Sequence, residues 1–196
     1  MKTMDVLIIG GGLAGLACAS KLVDGSKVVI LLEAQKDLGG RYTSDEPLAT
    51  QKIFDYLELH GSVIVKRSIG PVDFLALYIE HYGGEIILET PANKLEYDFY
   101  DESWLVTTPW GELSARKIVV ALPMQRARNI LSPVLGREEW FNKSFDNLDQ
   151  NKHLLFTTDI YHGLYLAGAY TEPTIQSSVL AALASGKRVA RSILRL

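Results

Sequence analysis

The strongest constraint on the fold lies in residues 5–41, DVLIIGGGLAGLACASKLVDGSKVVILLEAQKDLGGR. The apolar run at 6–9 has the composition of a strand buried on both faces, and residues 13–23 keep helical spacing. The motif G-x-G-x-x-G separates them, and a second apolar strand at 27–32 ends at Glu33. This order of elements is typical of a dinucleotide-binding unit: a strand, a glycine turn, a helix and a second strand that ends at an acid.

The three glycines of the motif have different expected roles. Gly10 permits a sharp turn, Gly12 lets a pyrophosphate approach the main chain, and Gly15 lets the helix pack closely on the strand. The amides of the first helical turn, around Leu13 and Ala14, lack partners within the helix and should face the phosphates, where the helix dipole favours negative charge. The alternative is a glycine-rich structural turn without a ligand, and the acid after the second strand favours the nucleotide.

Two further features narrow the choice of nucleotide. The carboxylate of Glu33 accepts hydrogen bonds from ribose hydroxyls but repels a 2'-phosphate, so NADP is disfavoured. The motif LGGR follows soon after, with Gly39, Gly40 and Arg41. Its glycines permit a second close approach of the main chain, and its arginine can pair with phosphate oxygens.

The sequence GGGLAGL, the acid after the second strand and the GGR motif together resemble the flavin amine oxidase superfamily. That superfamily includes monoamine and polyamine oxidases, protoporphyrinogen oxidase, phytoene desaturase and renalase-like proteins. The resemblance implies FAD rather than NAD, with Gly39, Gly40 and Arg41 along its diphosphate. It also implies contacts at Ala92, near the adenine, and at Ala121, in the apolar strand at 116–122.

The C-terminal sequence YLAGAYT…SSVLAALASGKRVA is similar to the C-terminal motif of the same superfamily. The resemblance implies four contacts to the ribityl chain and flavin ring, at Gly168, Ala169, Ser178 and Val179. The chain departs from the superfamily's pattern at two places. Ala169 stands where the superfamily usually has an acid, and Leu180-Ala181 stands where it commonly has Glu-Gly. Both changes remove polarity or space near the expected position of the flavin. Tyr170 is the one candidate for a residue beside the ring, and a packing role is its alternative.

These patterns predict an α/β fold with an FAD-binding, Rossmann-like parallel sheet of the glutathione-reductase type and a small antiparallel β-meander inserted into it. We expect one domain over 1–196, in which 42–70 and 132–153 are shortened remnants of a substrate or cap region. The remaining expected helices lie at 51–59, at 71–82, after Pro123 and at 175–194. The remaining expected strands lie at 63–65, at 85–89, around 95–99, at 104–108, around Leu113, at 154–157 and at 163–168.

Composition excludes several function classes. The net charge is −3, so nothing suggests a surface for nucleic acid or an anionic membrane, and no apolar run approaches the length of a bilayer span. The N-terminus leaves no room for a signal peptide, and a single cysteine permits no internal disulfide, so we expect a cytoplasmic protein. Cys18 is expected to be a packed apolar residue rather than a redox or flavin-attachment thiol. His60 and His81 lack companions at metal-ligand spacing, so surface or capping roles are expected and no metal site is.

The expected function is that of an FAD-dependent oxidoreductase in which a substrate passes a hydride to flavin N5. No catalytic acid or base, substrate or electron acceptor can be named from the residues. The alternative is a non-catalytic flavin-binding module or subunit, or a trimmed or engineered enzyme. In that case a second copy or a different chain would cover the exposed flavin face.

Overall fold

The computed structural model of the protein describes residues 4–42, 50–60, 69–136, 160–172 and 174–195. The strands in this part of the chain are β1 Met4–Ile9, β2 Val29–Leu32, β3 Glu85–Ile87, β4 Lys94–Asp98, β5 Ser103–Thr108, β6 Gly111–Val120 and β7 Leu164–Leu166. The helices are α1 Leu13–Asp24, α2 Thr50–Leu57, α3 Pro71–His81, α4 Met124–Leu135 and α5 Ser178–Leu194, and a 3-10 helix covers Ala169–Thr171.

Five strands form the expected parallel sheet, in the order β3-β2-β1-β6-β7. The apolar strand β1 lies at its centre, with Val6 opposite Val29 on one side and Lys117 on the other. The strands β4 and β5 add antiparallel to β6 and form the meander. The predicted fold class is therefore confirmed.

The strand β6 differs from its prediction. We expected separate strands around Leu113 and at 116–122, but one strand runs through Gly111–Val120. On one edge its first half pairs antiparallel with β5, and its last three residues pair parallel with β7. Leu113 to Arg116 contains no glycine or proline to interrupt the extended backbone, so the meander and the parallel sheet share a strand.

Each face of the sheet carries an apolar core. The first core lies between the sheet and the helices α1, α3 and α5, and the second includes Trp104 and Leu131 on the meander and α4. In the first core α1 and α5 approach closely, because a Cβ on Gly186 would lie 2.3 Å from the carbonyl oxygen of Ala14. Cys18 is fully buried there, and burial raises the pKa of its thiol. The predicted packing role of Cys18 is confirmed.

Two helix boundaries differ from expectation. The last helix begins at Ser178 rather than at 175, because the side chain of Ser177 caps it and accepts a 3.3 Å hydrogen bond from the Leu180 amide. The helix α4 continues through Pro133 to Leu135, so the linker predicted from residue 132 is wrong for its first four positions. The strands expected at 63–65 and 154–157 lie outside the described residues. Within the described residues, no helix is both long and apolar enough to span a bilayer.

Candidate functional site

The carboxyl ends of the parallel strands bring the predicted site residues to one edge of the sheet. Gly10 follows β1, Glu33 follows β2, Ala121 follows β6 and Gly168 lies two residues beyond β7. Backbone hydrogen bonds hold these ends side by side: the Gly10 amide donates to Leu32, and the Ala121 amide to Ile9, both at 2.8 Å. Ligands of open α/β sheets bind at this edge.

Gly10 and Gly15 serve the packing of the loop itself. Gly10 has φ of +112°, and a Cβ on it would lie 2.6 Å from the carbonyl oxygen of Ala121. A Cβ on Gly15 would lie 2.0 Å from the carbonyl oxygen of Gly10, so only glycine lets α1 lie this close to β1. Both positions therefore have the turning and packing roles expected of them.

Gly12 differs from these two glycines because its side-chain position faces open space. The described atom nearest to a Cβ on Gly12 is the Gly39 carbonyl oxygen, at 4.0 Å. Gly12 is the N-cap of α1, and no side chain caps the amides that follow, at Leu13 and Ala14. A group that approaches Gly12 therefore meets bare main chain and a helix N-terminus, which suits a phosphate.

The LGGR segment lies directly beside this position. The Gly39 amide donates a 2.8 Å hydrogen bond to the Gly11 carbonyl oxygen, and a Cβ on Gly40 would lie 3.4 Å from the Cα of Gly12. Arg41 is exposed next to them. We call Gly12, Gly39 and Gly40 the glycine cradle, because these three residues present main chain without side chains. The cradle fits the diphosphate of a dinucleotide.

Glu33 closes one end of the glycine cradle. Its carboxylate accepts hydrogen bonds from the amides of Gly11, at 2.7 Å, and Gln35, at 2.8 Å. These bonds fix the position of the carboxylate while leaving lone pairs on both oxygens for ribose hydroxyls. The bond to Gly11 was missed by the sequence reasoning. A Cβ on Gly11 would lie 2.5 Å from Leu38 Cδ2, and Gly11 itself, the middle glycine of the run GGG and outside the G-x-G-x-x-G motif, was the available signal.

The segment after β3 reaches the same end of the cradle. The Thr90 amide donates to the carbonyl oxygen of Glu33 at 2.8 Å, and the Glu89 amide to that of Gln35 at 3.1 Å. Ala92 follows, half-buried against the second core. The chain thus passes beside Glu33, and the adenine contact at Ala92 stays a prediction.

The turn between β7 and α5 is anchored by side chains instead of being bare. The Gly168 amide donates to the hydroxyl oxygen of Ser185 at 2.9 Å, and the Thr171 hydroxyl donates to the Gly168 carbonyl oxygen at 2.8 Å. Arg188 donates to Thr171 Oγ1 at 2.9 Å and to Glu172 Oε1 at 2.6 Å. We call this set of contacts the α5 anchor, and it fixes the turn to α5.

The absent side chain of Gly168 makes room for protein rather than for a ligand. A Cβ on Gly168 would lie 2.5 Å from Cε1 of Tyr170, so the tyrosine ring fills that space. The other predicted contacts lie around it: Ala169 is half-buried, Ser178 is exposed and Val179 is buried. Their contact with a flavin stays a prediction.

The histidines and several charged residues lie away from this edge. His60 Nδ1 lies 2.8 Å from Asp24 Oδ2 at the carboxyl end of α1, and His81 lies in the last turn of α3, edge-on to Tyr82. Burial raises the pKa of Asp24, but hydrogen bonds from His60, Lys21 and Tyr78 outweigh it, and the pKa is lowered overall. In the described ranges, no group of three or more His, Cys, Asp or Glu residues could hold a metal ion.

Comparison with known proteins matches this reading of the glycine loop. A family model described as an NAD(P)-binding Rossmann-like domain matches residues 8–60. The chain is 44% identical over 61 residues to flavin-containing amine oxidase B of Bos taurus, a match that covers 31% of this chain and 11% of that protein. It is 31% identical over 116 residues to polyamine oxidase 5 of Oryza sativa subsp. japonica. This match covers 59% of this chain and 22% of that protein. The predicted resemblance to flavin-containing amine oxidases is confirmed in these segments, which span less than a quarter of either relative.

Solved structures share the fold over a longer range. The crystal structure of Thermovibrio ammonificans THI4 superposes with a TM-score of 0.67 at 16% identity, covering 98% of this chain and 89% of that one. A mutant of NikD, an unusual amino acid oxidase essential for nikkomycin biosynthesis, gives a TM-score of 0.50 at 14% identity. It covers 68% of this chain and 54% of that one. At these identities the likeness establishes the fold alone.

Proposed function

We propose that the chain binds FAD along the carboxyl edge of its parallel sheet and forms the cofactor-binding part of an oxidoreductase. The observation that carries this proposal is the glycine cradle, which places bare main chain at the N-terminus of α1, one residue from the Gly11 amide that holds Glu33. The names of the relatives, flavin-containing amine oxidase and polyamine oxidase, favour a flavin over a nicotinamide cofactor.

The order of strands supports a ligand that lies along the edge. The amides of α1 would hold the diphosphate, and Glu33 the adenosine ribose, at the end of β2. From β2 the strands β1, β6 and β7 follow in order, and three interstrand spacings amount to about 14 Å. An extended dinucleotide spans this distance, so its flavin half would lie at the turn after β7, near Ala169 and Ser178.

The reaction that we propose is hydride transfer from a substrate carbon to the flavin. FAD supplies the electron-accepting ring when it is bound, and the protein supplies its position. The likeness to amine and polyamine oxidases favours an amine substrate. We assign no acid or base among the described residues, and a cytoplasmic location also stays part of the proposal.

A flavin-binding subunit without its own substrate site is the second candidate. Leu180, in the first turn of α5, exposes 36% of its surface beside the place proposed for the flavin. In this candidate another polypeptide, either a second copy of this chain or a partner, would lie over the flavin and cover this leucine.

Flavin titration of two matched glycine variants tests the proposal. Gly12 and Gly70 both cap helices with extended backbone, at φ of −73° and −67°, and both have room for a Cβ. We expect Gly12→Val to abolish FAD binding, measured by absorption and fluorescence, because the branched side chain fills the phosphate position. Gly70→Val should bind as the parent does. Equal FAD binding by the parent and Gly12→Val would refute the proposed site.

Anaerobic mixing separates the two candidate functions. An oxidoreductase should lose the visible absorption of its oxidised flavin when an amine or NADH reduces the bound cofactor. A protein that binds FAD but is reduced by none of these donors would favour the subunit. Its mass in solution with FAD would then show whether a second copy covers the flavin.

A further inference from the structure

The two glycines of the LGGR segment face in different directions. A Cβ on Gly40 would point toward the first glycine loop, 3.4 Å from the Cα of Gly12. A Cβ on Gly39 would instead point toward α3. Apart from its chain neighbours, the three described atoms nearest to that Cβ all belong to Val72, at 3.1, 3.6 and 3.9 Å. Gly39 is also buried and has φ of +98°, so its backbone conformation and the space beside it both favour glycine.

Gly39 is therefore held from two sides. On one side its amide donates a 2.8 Å hydrogen bond to the carbonyl oxygen of Gly11, and the neighbouring Leu38 fills the space beside that residue. On the other side lies the branched side chain of Val72. The hydrogen bond ties the LGGR segment to the first glycine loop, and the apolar contact limits its movement away from the loop.

The helix that carries Val72 is fixed by other contacts. The helix α3 buries Phe74 and Ile79 in the first core, and the Tyr78 hydroxyl donates a 2.8 Å hydrogen bond to Asp24 Oδ1. Val72 is half-buried in the first turn, at the margin of that core. Its side chain can therefore be shortened while the rest of α3 stays packed.

The same contact joins two elements that are far apart in sequence. The LGGR segment precedes residues 42–70 and α3 follows them, and we expect this stretch to be a remnant of a substrate or cap region. Tyr42 and Ile69, near its two ends, both pack against the first core. The contact of Gly39 with Val72 thus brings the two ends of the stretch together beside the glycine cradle.

We propose that Val72 is a positioning residue of the FAD site: it holds the LGGR segment against the first glycine loop and so keeps the glycine cradle in the shape that accepts a diphosphate. This inference rests on the proposed function. Val72 itself touches no ligand in this assignment and acts through Gly39. The position of α3 would then set the geometry of the cradle.

The Gly39 amide reports on this role in the flavin-free protein. In Val72→Ala we expect this amide to exchange its hydrogen about three- to ten-fold faster, because the loss of two methyl groups lets the segment move away from the Gly11 carbonyl oxygen. The Gly10 amide, which donates to Leu32 in the same loop, should exchange at the parent rate. Val72→Ile keeps both γ carbons and should restore the parent rate at Gly39.

Nucleotide affinity is the second measurement. FAD and ADP both contain the diphosphate, so Val72→Ala should weaken the binding of both by the same factor, about three- to ten-fold. Val72→Ile should bind both as the parent does. Leu77→Ala, at a position of α3 that is 47% exposed, is the matched control. It should change neither the exchange of the Gly39 amide nor the two dissociation constants.

The outcomes separate this inference from the function on which it rests. A parent protein that binds neither FAD nor ADP refutes the proposed function. If the parent binds both, a Val72→Ala variant with unchanged affinities, or with an unchanged exchange rate at Gly39, refutes only the role of Val72. A lower melting temperature of that variant without the other two changes would show that Val72 serves stability alone.

Discussion

The glycine cradle and the turn after β7 lie on the same edge of the sheet but are built in opposite ways. The cradle consists of positions without side chains, and its geometry comes from glycines that are close in sequence. The turn is fixed by side chains of α5, of which Ser185 is 17 residues away from Gly168. One end of the candidate site therefore consists of main chain without side chains. The other end is held by side chains from a helix that is distant in sequence.

The largest expected change in stability distinguishes Gly15, which packs against the main chain, from Gly12, which faces open space. Gly15→Ala should destabilise the protein by about 3 kcal/mol, because its Cβ would overlap the Gly10 carbonyl oxygen. Elsewhere in a helix the same change stabilises by up to about 1 kcal/mol. Gly12→Ala should stay within about 1 kcal/mol of the parent. Urea unfolding of both variants measures the contrast. A Gly12→Ala variant destabilised as much as Gly15→Ala would show that Gly12 is a packing glycine too, and a Gly15→Ala variant as stable as the parent would show that its close contact is not needed.

A smaller effect is expected at the α5 anchor. Ser185→Ala leaves the buried Gly168 amide without its acceptor, which should cost about 1–3 kcal/mol in unfolding free energy. Ser178→Ala, at an exposed position of the same helix, is the control and should change stability little. If flavin-free Ser185→Ala unfolds at the same urea concentration as the control, the turn does not depend on that bond.

The smallest effect is expected far from both regions, where α2 meets α5. Hydrogen bonds from Lys187 and Arg191 lower the pKa of Glu58 from 4.5 to about 2. A carboxyl group whose pKa is lower in the folded state stabilises above its unfolded pKa, and this stabilisation disappears as the pH falls toward 2. Glu58→Gln should therefore melt slightly below the parent at pH 6, and the difference should shrink between pH 5 and pH 2. A difference that does not vary with pH would mean that charge is not its cause.

The same contrast explains how much could be predicted from the sequence. The central strands, α1 and the position of the glycine cradle follow from local patterns, since the motif, the acid and LGGR lie within 37 residues. The continuity of β6 was missed because its two halves have different partners and different burial patterns. The role of Ser185 was missed because a serine inside an apolar helix has no local signal for its long-range acceptor role. Gly168 was expected to face the flavin, and only the folded turn shows that the ring of Tyr170 takes that space.

The shared strand β6 has a consequence for how the molecule opens. The first half of β6 pairs with the meander and its second half with both β1 and β7, so one unbroken strand carries both ladders, with Ala115 opposite Trp104 of β5 on one side and Met4 of β1 on the other. Protection from hydrogen exchange should therefore be uniform along its ten residues, and the amides of β5 and β1 should become accessible in one cooperative event. The insertion would then belong to the same folding unit as the nucleotide-binding sheet.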